Sequence, residues 1–335
     1  MWLFGFFLGK RKIFKGIITS LLLYKSNCHN VRLMHWNTQW FFTKYNPYVD
    51  CPGDGCVWKN EKQALTHLSY ISNIINKINP DILNICEIQG EYELKQLKNK
   101  TNKNYNIYWV NGTDYYTRQT NALLSLYIPK KIPERILEKN LYPISNSKCG
   151  YNGKIKETDI PKNYITEYSI YNNNITFISL HLPSIPLNPT RCAVRESQAQ
   201  IIQNIIYEKI IKGNHIIIVG DLNDFDNKIL DVNNNIPTSK VLDILKGYEG
   251  IHKNKYKLFS VSDKIIKNNR VSEVFDKNNT CYESMIDHVL LSNTLYKSIN
   301  NVSIFNDFEH NCSDKINWKG YFNSDHNPIV IDFQI

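Results

Sequence analysis

Asp325-His326, within Tyr321-Phe-Asn-Ser-Asp-His-Asn-Pro-Ile-Val330, stands just before an apolar run from Ile329 to Phe333. A carboxylate beside an imidazole at the mouth of a strand can hold a metal ion or move a proton. Five other segments set acids, amides or a histidine in or beside short apolar runs: Leu33-Met-His-Trp-Asn37, Ile82-Leu-Asn-Ile-Cys-Glu87, Phe177-Ile-Ser-Leu-His181, Ile216-Ile-Ile-Val-Gly-Asp-Leu-Asn223 and Met285-Ile-Asp-His-Val-Leu-Leu291. Together such residue types can neutralise an anionic group, activate a water and help a departing oxygen. Glu87 is a hard carboxylate suited to Mg²⁺. His326, an imidazole that titrates near neutrality, suits a general base whose tautomer a carboxylate can fix.

Each segment reads as a strand ending in a polar residue. Strand residues two apart share a face, so Asp221 and Asn223 are expected to point to one centre, with Gly220 letting another backbone come close. In isolation Gly-Asp-Leu-Asn equally fits a turn after a buried strand. His288 should face away from Asp287 if their strand continues, which makes it structural.

In this order and wording the segments resemble the endonuclease/exonuclease/phosphatase superfamily, the group that holds pancreatic deoxyribonuclease, abasic-site endonucleases, neutral sphingomyelinases and inositol-polyphosphate 5-phosphatases. The resemblance runs from about Val31 to Ile335 and rests on Glu87, Gly220-Asp-Leu-Asn223 and Ser324-Asp-His326. It implies an α/β (α+β) fold, a four-layer α/β/β/α sandwich of two packed mixed sheets with the site at one end. It also implies roles. Glu87 is the principal metal ligand, with Asn37 and Asp325 completing the metal site; Asp221 is a metal ligand or water-orienting base, Asn223 a hydrogen-bond donor to phosphate, Asp287 the partner of His326, and His181 a stabiliser of the transition state or donor to the leaving group. Mg²⁺ is the expected cofactor, with Mn²⁺ as substitute and Ca²⁺ in a structural role. Two departures bear on the branch. The chain reads His181-Leu-Pro-Ser184 where abasic-site endonucleases show Tyr-Val-Pro-Asn, and Gln119 stands where the pancreatic enzyme has a carboxylate behind its histidine, which weakens an acid role for His181.

The length suits one two-sheet domain over residues 31–335, with Asn140 to Lys162 and Asp224 to Asn235 as surface loops. Residues 1–30 differ: Trp2 to Leu8 and Ile17 to Tyr24 are apolar, Lys10, Arg11, Lys12, Lys15 and Lys25 are basic, and no acid occurs. Neither apolar run approaches the roughly 20 residues of a membrane span, so a secretory signal is expected, with an uncleaved anchor as the alternative. The chain carries +9, and without the five charges of this segment only +4 remains, too little to choose between a polynucleotide and a phospholipid.

Eight cysteines with an export signal favour disulfides. Cys51-Pro-Gly-Asp-Gly-Cys56 could close on itself, Cys86 reads as a buried thiol, and Cys149, Cys192, Cys281 and Cys312 could form two more bridges. Arg118, Asn121, Arg191 and Arg195 are candidate substrate contacts, the last two on a helix expected from about Thr190 to Lys212, where a solvated basic face is the competing reading. Trp109, Tyr115 and Tyr116 could stack a base or line a lipid groove. The expectation is an exported Mg²⁺-dependent phosphodiesterase, a nuclease on DNA or RNA, with a sphingomyelinase-like phospholipid enzyme as runner-up and a silent binding scaffold as the non-enzymatic alternative. A monomer without an obligate protein partner is expected.

Overall fold

A computed structural model describes residues 29–44, 58, 60–277, 280–306 and 324–334. The N-terminal segment up to residue 28, the Cys51 to Cys56 loop, Cys312 and Tyr321 to Asn323 lie outside the described residues.

In chain order the strands are β1 (Asn30–Phe41), β2 (Ile82–Ile88), β3 (Asn106–Val110), β4 (Thr120–Ser125), β5 (Lys131–Glu134), β6 (Asn140–Tyr142), β7 (Lys156–Thr158), β8 (Lys162–Ile170), β9 (Asn173–His181), β10 (His215–Asp221), β11 (Leu258–Ser260), β12 (Glu273–Lys277), β13 (Thr280–Ser284), β14 (Asp287–Ser292), β15 (Ile299–Ile304) and β16 (Ile329–Gln334). The helices are α1 (Glu61–Ile78), α2 (Glu91–Lys100), α3 (Pro189–Ile211), α4 (Val241–Leu245) and α5 (Asn293–Lys297). One six-stranded sheet is ordered β15-β16-β1-β2-β4-β3, the other β11-β14-β10-β9-β8-β5. Both are mixed: β1 runs parallel to β2 and β9 parallel to β10, while the other neighbours pair antiparallel.

Alternation along the strands builds the layers. Leu33, Ile82, Leu123, Tyr164, Phe177, Val219, Val289 and Ile331 meet between the two sheets. The outer face of the first sheet, with Met34, Trp36, Leu83 and Ile85, takes Leu68, Ile71, Ile74, Ile75 and Ile78 of α1 and Leu94 and Leu97 of α2. The outer face of the second, with Ile178, Leu180, Ile216 and Ile218, takes Ile202 and Ile206 of α3 and Val241, Leu242 and Ile244 of α4. The result is the four-layer α/β/β/α sandwich that the sequence led us to expect. The caps are local. Asn60 and Asn188 accept the backbone N–H of Gln63 and Arg191 at the starts of α1 and α3, and Pro189 occupies the first turn of α3.

The stretch expected to be a surface loop from Asn140 to Lys162 differs: β6 and β7 pair within it as a small antiparallel ribbon. Cys149 bridges to Cys192 on α3, fastening this insertion to the helix. Cys86 is a buried free thiol, as read from its strand.

Candidate active site

The inner-face residues of several strands change from apolar to polar at one end of the sandwich. On β1, Val31 and Leu33 are core and His35 and Asn37 follow on the same face; on β10, Ile217 and Val219 are followed by Asp221; on β9, Ile175 and Phe177 by Ser179 and His181. Glu87 breaks the alternation. Period two along β2 from Ile82 would send it outward, but its φ is 66° and the registers of β2 with β1 and β4 both shift there, so the bulge turns the carboxylate to the inner face.

Asn37 Nδ2 lies 3.1 Å from Glu87 Oε1, 3.0 Å from Asp221 Oδ2 and 3.4 Å from His326 Nε2. Its own oxygen accepts from Gln39 N at 3.1 Å, so the amide nitrogen bridges the carboxylates. Glu87 Oε2 accepts from Trp40 N at 3.0 Å and from Gln119 Nε2 at 2.7 Å. Gln119 therefore supports Glu87 and not the histidine.

His326 Nδ1 is 2.7 Å from Asp287 Oδ2, both buried. Burial opposes charge on each, but their mutual attraction wins: Asp287 is held below the usual carboxylate range and His326 well above the usual histidine range. A carboxylate only accepts, so Nδ1 carries the hydrogen and Nε2 turns towards Asn37 and the centre. His288 points the other way, its Nε2 2.8 Å from Asp224 O.

His181 Nε2 is 3.6 Å from Asp221 Oδ2 and 3.8 Å from Glu87 Oε1. Lys162, its register partner across the β8–β9 hairpin, brings Nζ to 3.2 Å. Burial and then Lys162 push His181 well below the usual histidine range, so the imidazole is neutral and the cation at this corner is the lysine. Lys162 Nζ is also 3.3 Å from Gln119 Oε1 and 3.5 Å from Asp114 Oδ2. The sequence reading missed Lys162. Counting back by twos from the Tyr171-Asn172 turn would have set it opposite His181.

Asn223 stands past the end of β10 with φ 49°; its N–H bonds Asp221 Oδ1 at 3.0 Å and its Nδ2 bonds Leu182 O at 3.1 Å. Asp325 Oδ1 is enclosed without a hydrogen-bond partner, 3.7 Å from His326 Nε2. Burial, then the carboxylates of Glu87 and Glu273 against the pull of His326, push Asp325 up to about 7. Glu273, also missed, bridges to His326 through the backbone and is raised by burial. Asn121 is buried, its Nδ2 2.9 Å from Ser179 Oγ. Arg118 lines a cavity of about 520 Å³ with Gln89, Asn111, Thr113, Tyr115 and Gln119. Arg191 is exposed and bonds Ser184 Oγ at 2.6 Å.

Arg195 corrects the sequence reading. It is 0% exposed, paired with Asp224 at 3.1 Å, and donates to the carbonyls of Pro183, Ile185 and Pro186. It is neither a substrate contact nor part of a solvated face; it pins the loop that leaves His181. A four-residue helical spacing from Arg191 could not reveal this, because the covering loop belongs to the tertiary structure.

The sequence matches the Endonuclease/Exonuclease/phosphatase family over residues 34–300. The chain belongs to that family. Its fold is similar to an endonuclease/exonuclease/phosphatase family protein from Leptotrichia buccalis (TM-score 0.55, 14% identity, 91% of this chain and 100% of that one). It is likewise similar to TDP2 from Caenorhabditis elegans (0.54, 16%, 92% and 75%) and to a mannosyl-6-phosphatase from Bacteroides thetaiotaomicron (0.51, 17%, 90% and 98%). No curated protein sequence matches it.

Endonuclease/Exonuclease/phosphatase members are typically phosphoesterases that depend on a divalent metal, and the residues here fit such an ion. Glu87, His181 and Asp221 offer ligand atoms within 4.8 Å of one another. The orphaned Asp325 oxygen and the raised Asp221, lifted by burial and then by Asp287, mark carboxylates that burial and neighbouring acids leave short of positive charge. The carboxylate oxygens among these atoms suit a hard divalent cation.

Proposed function

We propose that the chain is an exported, Mg²⁺-dependent phosphodiesterase that hydrolyses DNA or RNA. The observation that carries the phosphodiesterase reading is the meeting of Asn37, Glu87, Asp221, Asp287 and His326 from both sheets at one end of the sandwich. Glu87 and Asp221, with Asp325, would hold a divalent cation, which neutralises phosphate charge and makes water more acidic. His326, fixed by Asp287, turns Nε2 to the attacking water and takes its proton in the neutral form of the ring, which, against burial, the pull of Asp287 confines to pH above the usual histidine range. Asn37 and Asn223 hold the carboxylates in place, and Lys162 with neutral His181 meets the charge that develops on the phosphate or departing oxygen. Nucleic acid is favoured by Tyr115 and Tyr116, 85% and 70% exposed, with Tyr115 and Arg118 lining the cavity next to Gln119. Export is supported by the Cys149–Cys192 disulfide.

A second reading, hydrolysis of a phospholipid head group, draws on Ile185 and Leu187, 55% and 62% exposed on the loop after His181. One assay separates them: residues 31–335 with plasmid DNA, RNA and sphingomyelin vesicles, each with Mg²⁺ or EDTA, beside His326→Ala. Metal-dependent nicking that the variant loses supports the nuclease. Release of choline phosphate without nicking moves the enzyme to lipids, and no hydrolysis of any substrate sinks both readings.

A further inference from the structure

Asp287 uses only one carboxylate oxygen on His326. The other, Oδ1, lies 3.0 Å from His35 Nε2. His35 Nδ1 in turn is 2.8 Å from Asn84 Nδ2, and Asn84 Oδ1 accepts from the Tyr164 hydroxyl at 2.6 Å. None of Tyr164, Asn84, His35 or Asp287 is more than 1% exposed. The path starts on β8 in the second sheet, crosses to β2, passes to β1 where His35 and Asn84 are register neighbours, and returns to Asp287 on β14. It then crosses again to His326. The surrounding inter-sheet core is Leu33, Ile82, Phe177 and Val289, where a polar group is tolerated only if each of its atoms is bonded.

With the His35 ring neutral, the bonds of this path have one set of directions that satisfies every atom. Ionised Asp287 can only accept, so His35 Nε2 must carry the hydrogen, and in a neutral ring Nδ1 must then accept. Its donor is the Asn84 amide nitrogen, which leaves the Asn84 oxygen facing Tyr164 and requires the hydroxyl to donate. The Asn84 nitrogen also lies 3.9 Å from Cys86 Sγ, whose own hydrogen goes to Leu180 O at 3.8 Å. A flipped Asn84 would therefore set its oxygen against a sulfur with no hydrogen to give. Beyond Tyr164, the Ser179 hydroxyl bonds the phenol oxygen and itself accepts from Asn121 Nδ2. All the donors point towards Asp287.

We propose that His35, its tautomer set by Asn84 and Tyr164, is a positioning residue that locks the Asp287 carboxylate and so aims His326 Nε2 at the reacting centre. The proposal rests on the phosphodiesterase reading above. Without the Tyr164 hydroxyl, Asn84 is free to turn its oxygen to His35. In the fraction that flips, the ring protonates at Nδ1 and presents a lone pair to Asp287 Oδ1, and there the carboxylate rotates away from the geometry that holds His326.

The deciding experiment is ¹⁵N imidazole NMR on the full chain, parent and Tyr164→Phe, with no substrate present. The expected result is His35 protonated at Nε2 in the parent and an Nδ1-protonated population in the variant. A parent ring protonated at Nδ1, or an unchanged tautomer in Tyr164→Phe, overturns the proposal. Kinetics supply the second arm. Tyr164→Phe and His35→Leu should each lose about 10–100-fold in kcat with KM unchanged, the usual scale for groups that orient a ligand or base from behind. His35→Gln, which keeps a donor for Oδ1 and an acceptor for Asn84, should recover most of it. Equal losses in His35→Gln and His35→Leu, both folded by thermal midpoint, contradict the proposal. A parent without turnover on any phosphodiester removes the functional reading, and the tautomer measurement then decides the relay by itself.

Discussion

Gly220→Ala tests how the second sheet sets the site. A Cβ built at Gly220 would stand 2.0 Å from Leu180 O and 2.9 Å from Leu180 C, both backbone atoms of the adjacent parallel strand. Ordinary contact begins at 3.4 Å, so β9 and β10 must part by more than an ångström. Nothing else can yield, because the obstructing atoms are main chain. Separation on that scale breaks the hydrogen bonds around the clash, at about 1 kcal/mol each, and adds overpacking of about 1–3 kcal/mol. The expected total is about 3 kcal/mol, or roughly 5 °C in thermal midpoint for a domain of about 300 residues. The next register pair along is Asp221 with His181, so the same displacement moves two site residues apart. Misplacement by an ångström costs about 100-fold in rate. Differential scanning calorimetry and hydrolysis kinetics read the two effects. Gly213→Ala is the control: its φ of 82° makes alanine strained, but open space surrounds it, so stability should fall with turnover kept. A Gly220→Ala protein that melts and turns over like the parent refutes the close-approach argument.

Asp287→Asn should destabilise by about 3–5 kcal/mol, the scale for breaking a buried pair, in a defined pH window. Asp287 is depressed, so its contribution is present above its ordinary 3.8 and lost as pH falls through the folded value; His326 is raised, so its contribution is full below 6.5 and lost as pH rises through the folded value. The gap between parent and variant in denaturant unfolding should thus be widest between about 4 and 6.5 and narrow on either side; a pH-independent gap contradicts the pairing. Lys162→Met should cut kcat/KM by about 10²–10³-fold and raise the His181 titration, followed by NMR, while burial still keeps it below 6.5. Parental kinetics in that variant would remove the lysine from the chemistry. Reducing Cys149–Cys192, which closes a sequence separation of 43, should cost about 4 kcal/mol by chain entropy. A thermal midpoint indifferent to reductant would show that the insertion does not depend on the bridge.

The sequence by itself determined the strands that carry the site motifs and, apart from Glu87, which of their residues turn inward. Asp221 two residues after Val219, and His181 two after Ser179, follow from period two and an apolar core, and so does the outward turn of His288. Local capping chemistry likewise started α1 and α3 where Asn60 and Asn188 stand. What only the tertiary structure decided is everything that depends on two segments meeting. Glu87 enters the site because a bulge reverses the phase of β2, and the side-chain period alone sends it outward. Gln119 reaches Glu87 from β4's approach, and Lys162 reaches His181 only once the hairpin register is fixed. Arg195, a surface charge by helical spacing, is swallowed by the loop from Pro183 to Pro186 and by Asp224. His35, Asn84 and Tyr164 look like scattered polar residues along the chain and become one directed path when two sheets stack. Periodicity is a property of one segment and can be read from it; hydrogen-bond and charge partners belong to pairs of segments, and only the packing of the sheets chooses the pairs.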